Sequence, residues 1–292
     1  MQKLKKTLII VSSIIIIITI LGTFLASNEQ NIQKLTPINF GYTSGGEKHY
    51  FKSASNLFNV YGFENDFHAV KGKVVAGQHA HIELKEENGL LYEQIMPEES
   101  EKIVFIVPIF TELAYGKQGF YDYYQEKCDQ TCLTVPIKTN IPLSFQSSDH
   151  TARVLKLLGY EYITDIEIEK NPNILKNYDK LIVLHNEYVT KKEFDAITSH
   201  PNVIYLYPNA LYAEISVDFE KNSIILIKGH GYPEKGISNG FNWEFDNTHP
   251  FEYDTLCKDW KLIKIPNGIM LNCYPENIIY RDFNLLKIIK EF

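Results

Sequence analysis

Residues His185-Asn186-Glu187-Tyr188 set an imidazole, a carboxylate and a phenol within one short stretch. Glu187 could serve as a general base or a metal ligand, and His185 as a ligand, a base or an orienting group. The same carboxylate could instead only charge a helix N-terminus, where negative charge is favourable. Tyr115, in Phe110-Thr111-Glu112-Leu113-Ala114-Tyr115-Gly116, is a second candidate, or else one packing tyrosine among 19. His79, His81 and Glu83 alternate, so a strand would put all three on one face. That is a workable Zn²⁺ arrangement if a further ligand arrives, and otherwise a solvated sheet face. Gly229-His230-Gly231 is the fourth candidate, a histidine that could line a pocket or merely occupy a turn.

These residues need elements to hold them. The apolar run Leu181 to Leu184 reads as a buried strand that stops at His185. A helix over 191–198 opens at Thr190 with Glu193 three residues on, the capping-box pattern. The cluster therefore falls at the carboxyl end of a strand, where open α/β sheets bind ligands. Ile103 to Phe110 is another apolar strand, which puts Tyr115 at a carboxyl edge too. Gly119 to Lys127 reads as a helix and Leu133 to Ile137 as a short strand. Asp149 can cap a helix carrying Ala152, Leu155 and Leu158 and ending at Gly159. Further strands are expected at 160–163, 203–207, 223–228, 261–265 and 269–273. Alternating strands and helices predict a flavodoxin-like three-layer α/β sheet over residues 101–292. Residues 46–100 read as a small β-rich domain closed by Pro97-Glu98-Glu99-Ser100. There Val74 to Leu84 alternates as one strand, and Asn88-Gly89 signals a turn into a return strand, Leu90 to Ile95.

The 292-residue chain is long enough to bury a sizeable core. Its net charge of −7 and its two arginines, Arg153 and Arg281, argue against a nucleic-acid partner. Lys3, Lys5 and Lys6 precede an uncharged stretch from Thr7 to Ala26, about 30 Å long as a helix. The expectation is an uncleaved transmembrane anchor over residues 1–26, a cleaved signal peptide being the alternative. A polar stalk over 27–45 would follow, with the rest of the chain on the extracytoplasmic side. Cys128, Cys132, Cys257 and Cys273 are even in number, which there favours two disulfides. Cys128–Cys132 with Cys257–Cys273 is the simplest of three connectivities, and a four-cysteine metal site is the rival. No G-x-S-x-G elbow, P-loop, Rossmann fingerprint or H-E-x-x-H occurs.

Taken in order, several short motifs carry a family resemblance. They are Ala114-Tyr115-Gly116, Gly159-Tyr160, Leu175 with Tyr178-Asp179, Leu184-His185-Asn186-Glu187-Tyr188-Val189 and Tyr207-Pro208-Asn209. Through them residues 103–215 resemble the amidotransferase-like domain of the N,N-dimethylformamidase large subunit. The resemblance implies a mononuclear iron, with zinc as second choice, acting as a Lewis acid that activates water against a small amide. It implies Tyr115 and Glu187 as metal ligands, His185 as an acid/base beside them, and Asn209 as a polarising or orienting group. Hard oxygen ligands suit Fe³⁺. The chain departs from the pattern at Leu143, where the family has a second tyrosine ligand, and at Leu184, Asn186 and Val189. His185, Tyr188 or His150 would have to complete the ligand set. Two readings stand: an amide hydrolase centred on Glu187, and a non-catalytic binding or structural module on the same scaffold. They part on whether Tyr115, His185, Glu187 and Asn209 share one pocket.

Overall fold

The computed structural model describes residues 46–292 except 53, 65–66, 71–72, 77–80, 139–140 and 246–253. All elements below belong to the unit made of residues 39–137 and 142–292. Short antiparallel strands come first: β1 (Lys48–Tyr50), β2 (Phe58–Phe63), β3 (Phe67–Val70), β4 (Lys73–Ala76) and β5 (His81–Leu84). β1, β2 and β5 make one sheet, and β3 pairs with β4 in a ladder of its own. The strand expected from Val74 to Leu84 is thus divided between two sheets. Asn88-Gly89 does not turn into a return strand either; α1 (Gly89–Tyr92) starts there. The cause is local hydrogen bonding. Asn88 Nδ2 donates to the carbonyls of Asn56 and Leu57, at 2.8 and 2.9 Å. Tyr92 Oη donates to Leu57 O and accepts from Lys85 N at 2.7 Å. These bonds fold the segment back onto the start of β2.

The larger part begins with β6 (Ile103–Val107), apolar and buried at every position. α2 (Ile109–Tyr115), α3 (Phe120–Tyr124), β7 (Thr134–Pro136), α4 (Asp149–Leu157) and β8 (Glu161–Thr164) follow. Next come α5 (Asp165–Lys170), β9 (Lys180–Val183), β10 (Tyr188–Thr190), α6 (Lys191–Thr198) and β11 (Val203–Tyr205). The last elements are β12 (Ala213–Asp218), β13 (Ser223–Lys228), β14 (Leu262–Ile265), β15 (Gly268–Leu271) and α7 (Phe283–Glu291). One sheet runs β14-β15-β11-β9-β6-β8, parallel except for the edge strand β14. Strands buried at every position need cover on both faces, and β6, β9 and β11 meet that pattern.

The single flavodoxin-like three-layer sheet is corrected by a second, four-stranded sheet of order β10-β12-β13-β7. Residues 134–136 and 223–228, expected in the parallel sheet, belong to it. The reason lies at Asp218, whose carboxylate accepts from Lys221 N at 3.0 Å, and at Asn222, which takes a φ of 50°. That tight turn makes β12 and β13 an antiparallel hairpin. β12 alternates between buried and half-buried residues over its first four positions, unlike β6. The transmembrane helix is also uncorroborated: among the described residues no helix is long and apolar enough to cross a membrane. Residues 7–26 and the stalk to residue 45 lie outside the described residues. Both cysteine pairs are closed as expected, Cys128 with Cys132 and Cys257 with Cys273.

α6 occupies the predicted residues, yet its cap is only half the expected box. Glu193 N donates to Thr190 Oγ1 at 3.2 Å, but the Glu193 carboxylate does not return the bond. It is fully buried, and neither of its oxygens has a hydrogen-bond partner. Burial, then the charges of Asp165 and Glu169, push it well above the usual carboxylate range. Asp165 is driven the same way by burial, against donation from Phe110 N and Ile166 N. The native state therefore binds protons that the unfolded chain has released, so stability falls as pH climbs above the ordinary carboxylate range. Glu193→Gln should raise stability at pH 8 by on the order of 1 kcal/mol and flatten its decline between pH 5 and 8. Denaturant melts across that range check both.

Candidate functional site

Three parallel strands end side by side, and the chain leaving each carries part of the site. β6 leads through Pro108 into α2, which closes on Tyr115. β9 leads into residues 184–187, and β11 into 206–212. The 184–187 segment is fixed by its backbone. Thr111 Oγ1 accepts from Glu187 N at 3.0 Å and from Tyr188 N at 3.3 Å. Leu211 N donates to Asn186 O and Ala213 N to Glu187 O, both at 2.8 Å. Ser148 Oγ accepts from His185 N at 2.9 Å, with Ser148 itself held at a φ of 65°. Helix α2, residues 211–213 and Ser148 thus pin the strand end whose side chains carry the chemistry.

Glu187 points inward and is 1% exposed. Tyr115 Oη donates to its Oε2 at 2.7 Å. His230 Nε2 lies 2.7 Å from its Oε1, and His185 Nε2 3.4 Å from Oε2. Burial works to raise the carboxyl's proton affinity. The hydrogen bond and charge of His230, then His185 and Tyr115, more than offset it and hold Glu187 below the ordinary carboxylate range. Burial, then the neighbouring Glu187 charge, push the Tyr115 phenol far above its ordinary value. The carboxylate is thus ionised while its phenol partner keeps its proton.

His185 is oriented as firmly. Its Nδ1 donates to the carbonyl of Gln146, and its ring stacks on Tyr207 at 5.0 Å between centroids. A carbonyl cannot donate, so Nδ1 carries the proton and Nε2 of the neutral ring is bare. Burial lowers the His185 pKa, against the opposing pull of Glu187, which favours that neutral ring. Nε2 has no hydrogen bond of its own: at 3.4 Å it faces Glu187 Oε2 outside bonding geometry. Asn209 lies beside His185, close enough to raise its proton affinity. Asn209 Oδ1 and Tyr188 Oη are likewise buried without partners. Orphaned buried polar atoms are an ordinary mark of a ligand or water site.

Tyr115, His185 and Glu187 therefore meet, with Asn209 at their side. His230 joins them, although its sequence context reads equally well as a turn. Gly229 takes a φ of 137°, and a Cβ there would sit 2.8 Å from that of Ala213, so glycine is needed for the chain to pass. His230 itself adopts a φ of 51°. It packs among Tyr212, Tyr124 and Tyr188, with centroids at 4.6, 4.8 and 5.4 Å. Its signal was a histidine between glycines at a strand end; what the sequence could not supply was the distance to Glu187.

The other expected contributors lie elsewhere. Leu143, where the resemblance calls for a tyrosine, is fully buried as an apolar side chain. His150 Nδ1 pairs with the carbonyl of Glu276 at 3.0 Å. His81 is buried, stacked on Tyr61 and edge-on to Phe63. Glu83 accepts from Lys48 Nζ at 3.0 Å and Tyr50 Oη at 2.9 Å. His79 lies outside the described residues. Among the described residues no three His, Cys, Asp or Glu side chains are gathered to hold a metal ion.

A supporting carboxylate was not foreseen. Glu276 is fully buried at the N-terminus of α4, where backbone N–H groups and the helix dipole favour an anion. It accepts from His150 N at 2.8 Å, Thr151 N at 3.0 Å, Thr151 Oγ1 at 2.5 Å and Tyr207 Oη at 2.8 Å. Tyr207 is thereby fixed under the His185 ring.

The family described as N,N-dimethylformamidase beta subunit-like, C-terminal, matches this chain over residues 42–239. The match covers well over half of the chain and includes Tyr115, His185, Glu187, Asn209 and His230. It carries no glutamine amidotransferase assignment. No curated protein matches the chain.

Proposed function

The chain belongs to the N,N-dimethylformamidase beta subunit-like family, and from that premise we propose that it is an amide hydrolase whose reacting groups surround Glu187. The observation that carries this reading is the inward carboxylate itself, 1% exposed and contacted by Tyr115, His185 and His230. Hydrolysis forms a bond from water oxygen to the carbonyl carbon and breaks the C–N bond; the water's proton must reach the departing amine. An ionised Glu187 and a bare His185 Nε2 are two acceptors able to take that proton. Tyr115 Oη, whose proton goes to Glu187 Oε2, would hold that carboxylate in position, and the Asn209 side chain would meet oxygen on the substrate. The buried rings of Tyr188 and Tyr207, packed on His230 and His185, exclude bulk water, which strengthens each of these interactions.

The residues fit a metal ion in their chemistry. His185 Nε2 and Glu187 Oε2 are both acceptors, and 3.4 Å apart they call for a cation or a donor between them. Tyr115 Oη, 2.7 Å from the same oxygen, would give up its proton as the ion binds and complete a three-atom set suited to iron or zinc. Such an ion supplies Lewis acidity. Glu187, Tyr115 and His185 would hold it, and Nδ1 of His185, committed to Gln146 O, keeps the ring aimed. The closed cysteine pairs support an oxidising, extracytoplasmic setting.

The test is to assay release of the leaving amine (ammonia from formamide and acetamide) from these and larger amides by protein purified under iron- and zinc-replete conditions, with elemental analysis alongside. We expect amine release, about one metal equivalent per chain, and loss of that metal in Glu187→Ala. Turnover without metal in both the replete and the chelated protein would remove the metal from this account. Absence of any amine release in replete protein would remove the reaction.

A further inference from the structure

His230 has two neighbourhoods. One side meets Glu187 Oε1. The residue also lines an open cavity of about 640 Å³, together with Tyr123, Tyr124, Lys127 and Lys235. The cavity is therefore one side chain away from the buried carboxylate. Its size is that of a pocket for a ligand of many atoms, whereas a one-carbon amide would leave most of it filled with water. Tyr124 supplies its wall. Tyr124 is 45% exposed as a residue, and its ring centroid lies 4.8 Å from that of His230. A half-bare aromatic ring beside the floor of a cavity offers stacking and apolar area to a flat group. From Tyr124 the aromatic contacts run inward. Tyr121 lies at 5.9 Å, and Tyr115 stacks on Tyr121 at 4.6 Å. The rim carries Lys127 and Lys235 against Glu126 and Asp129, two charges of each sign, so it selects no net charge.

Resting on the hydrolase reading above, we propose that this cavity binds the substituent of the substrate amide, and that it takes an uncharged, flat group of aromatic size stacked on Tyr124, with the amide directed past His230 toward Glu187. The disulfide between Cys128 and Cys132 fixes the cavity wall that follows Tyr124, since Cys128 itself lines the cavity. That bond favours a preformed pocket over one shaped on binding.

The experiment compares binding of N-acetyl-phenylalaninamide and acetamide to the full chain by NMR titration, in wild type, Tyr124→Ala and Tyr124→Phe. Thermal melts confirm that each variant is folded. We expect the aromatic amide to bind at least about tenfold more tightly than acetamide, since one stacked ring is worth roughly that factor. We expect Tyr124→Ala to erase the difference and Tyr124→Phe to keep it. Equal affinities, no detectable binding of the aromatic amide, or an unchanged preference in Tyr124→Ala would overturn the assignment. Amine release is read from the same samples. Tyr124-dependent binding without turnover sinks the hydrolase reading and leaves the cavity assigned; turnover of acetamide with no Tyr124 dependence does the reverse.

Discussion

Glu187→Gln is expected to lower amide hydrolysis about a thousandfold or more while the protein stays folded. The size follows from what is removed. A positioned proton acceptor contributes on the order of 10²–10⁴ in rate, and here the same group would also hold the cation. The fold survives because glutamine keeps the shape. Its carbonyl can still accept from Tyr115 or from His230, and the amide can meet the partner left over, since a phenol oxygen accepts and an imidazole can present a bare nitrogen. Glu187→Ala is the harsher change, leaving Tyr115 Oη and His230 Nε2 with no acceptor at a site 1% exposed. It should cost stability as well as rate. Steady-state rates on the best amide, with a thermal melt of each variant, separate the two effects. A Glu187→Gln protein within a few-fold of wild type would take Glu187 out of the reaction.

The largest effect on stability is expected at Glu276. Glu276→Ala withdraws the acceptor from two backbone N–H groups and two hydroxyls, all on buried residues. Removing one side of such a buried arrangement typically costs about 3–5 kcal/mol. Glu276→Gln keeps an oxygen for part of the set and should cost about 1–3 kcal/mol. The change also reaches the site. Tyr207 loses its anchor, and with it the face on which His185 stacks. Denaturant midpoints give the stability, and the rate of the Gln variant reports whether the His185 ring has moved. A Glu276→Ala loss below about 1 kcal/mol would show that the carboxylate only decorates the helix end.

The elements were legible wherever apolar runs and caps act locally. Helix 191–198 and the strands near 103, 181, 203 and 223 follow from hydrophobic runs, Thr190 and the turn residues between them. Sheet membership was not legible. Which strand pairs with which depends on the tight turn at Asp218–Asn222 and on contacts far apart in sequence. The return strand at 90–95 failed for a related reason: Tyr92 finds Leu57, 35 residues away, and that bond overrides the turn signal. At the site, Tyr115, His185 and Glu187 could be named because their strand ends adjoin in the parallel sheet. His230 and Glu276 arrive from the second sheet and from the C-terminal segment. No spacing rule links them to residue 187, and only the packed structure brings their side chains to it.

The proposed reaction requires Glu187 to act upon an amide. The most direct measurement is product analysis in ¹⁸O-labelled water with purified, metal-replete chain and the panel from formamide to N-acetyl-phenylalaninamide. The expected result is amine and carboxylate in equal amounts, the carboxylate carrying one labelled oxygen, with both products formed about a thousandfold or more slowly by Glu187→Gln. Intact amide after prolonged incubation with folded wild type, or labelled carboxylate formed equally by wild type and Glu187→Gln, would contradict it.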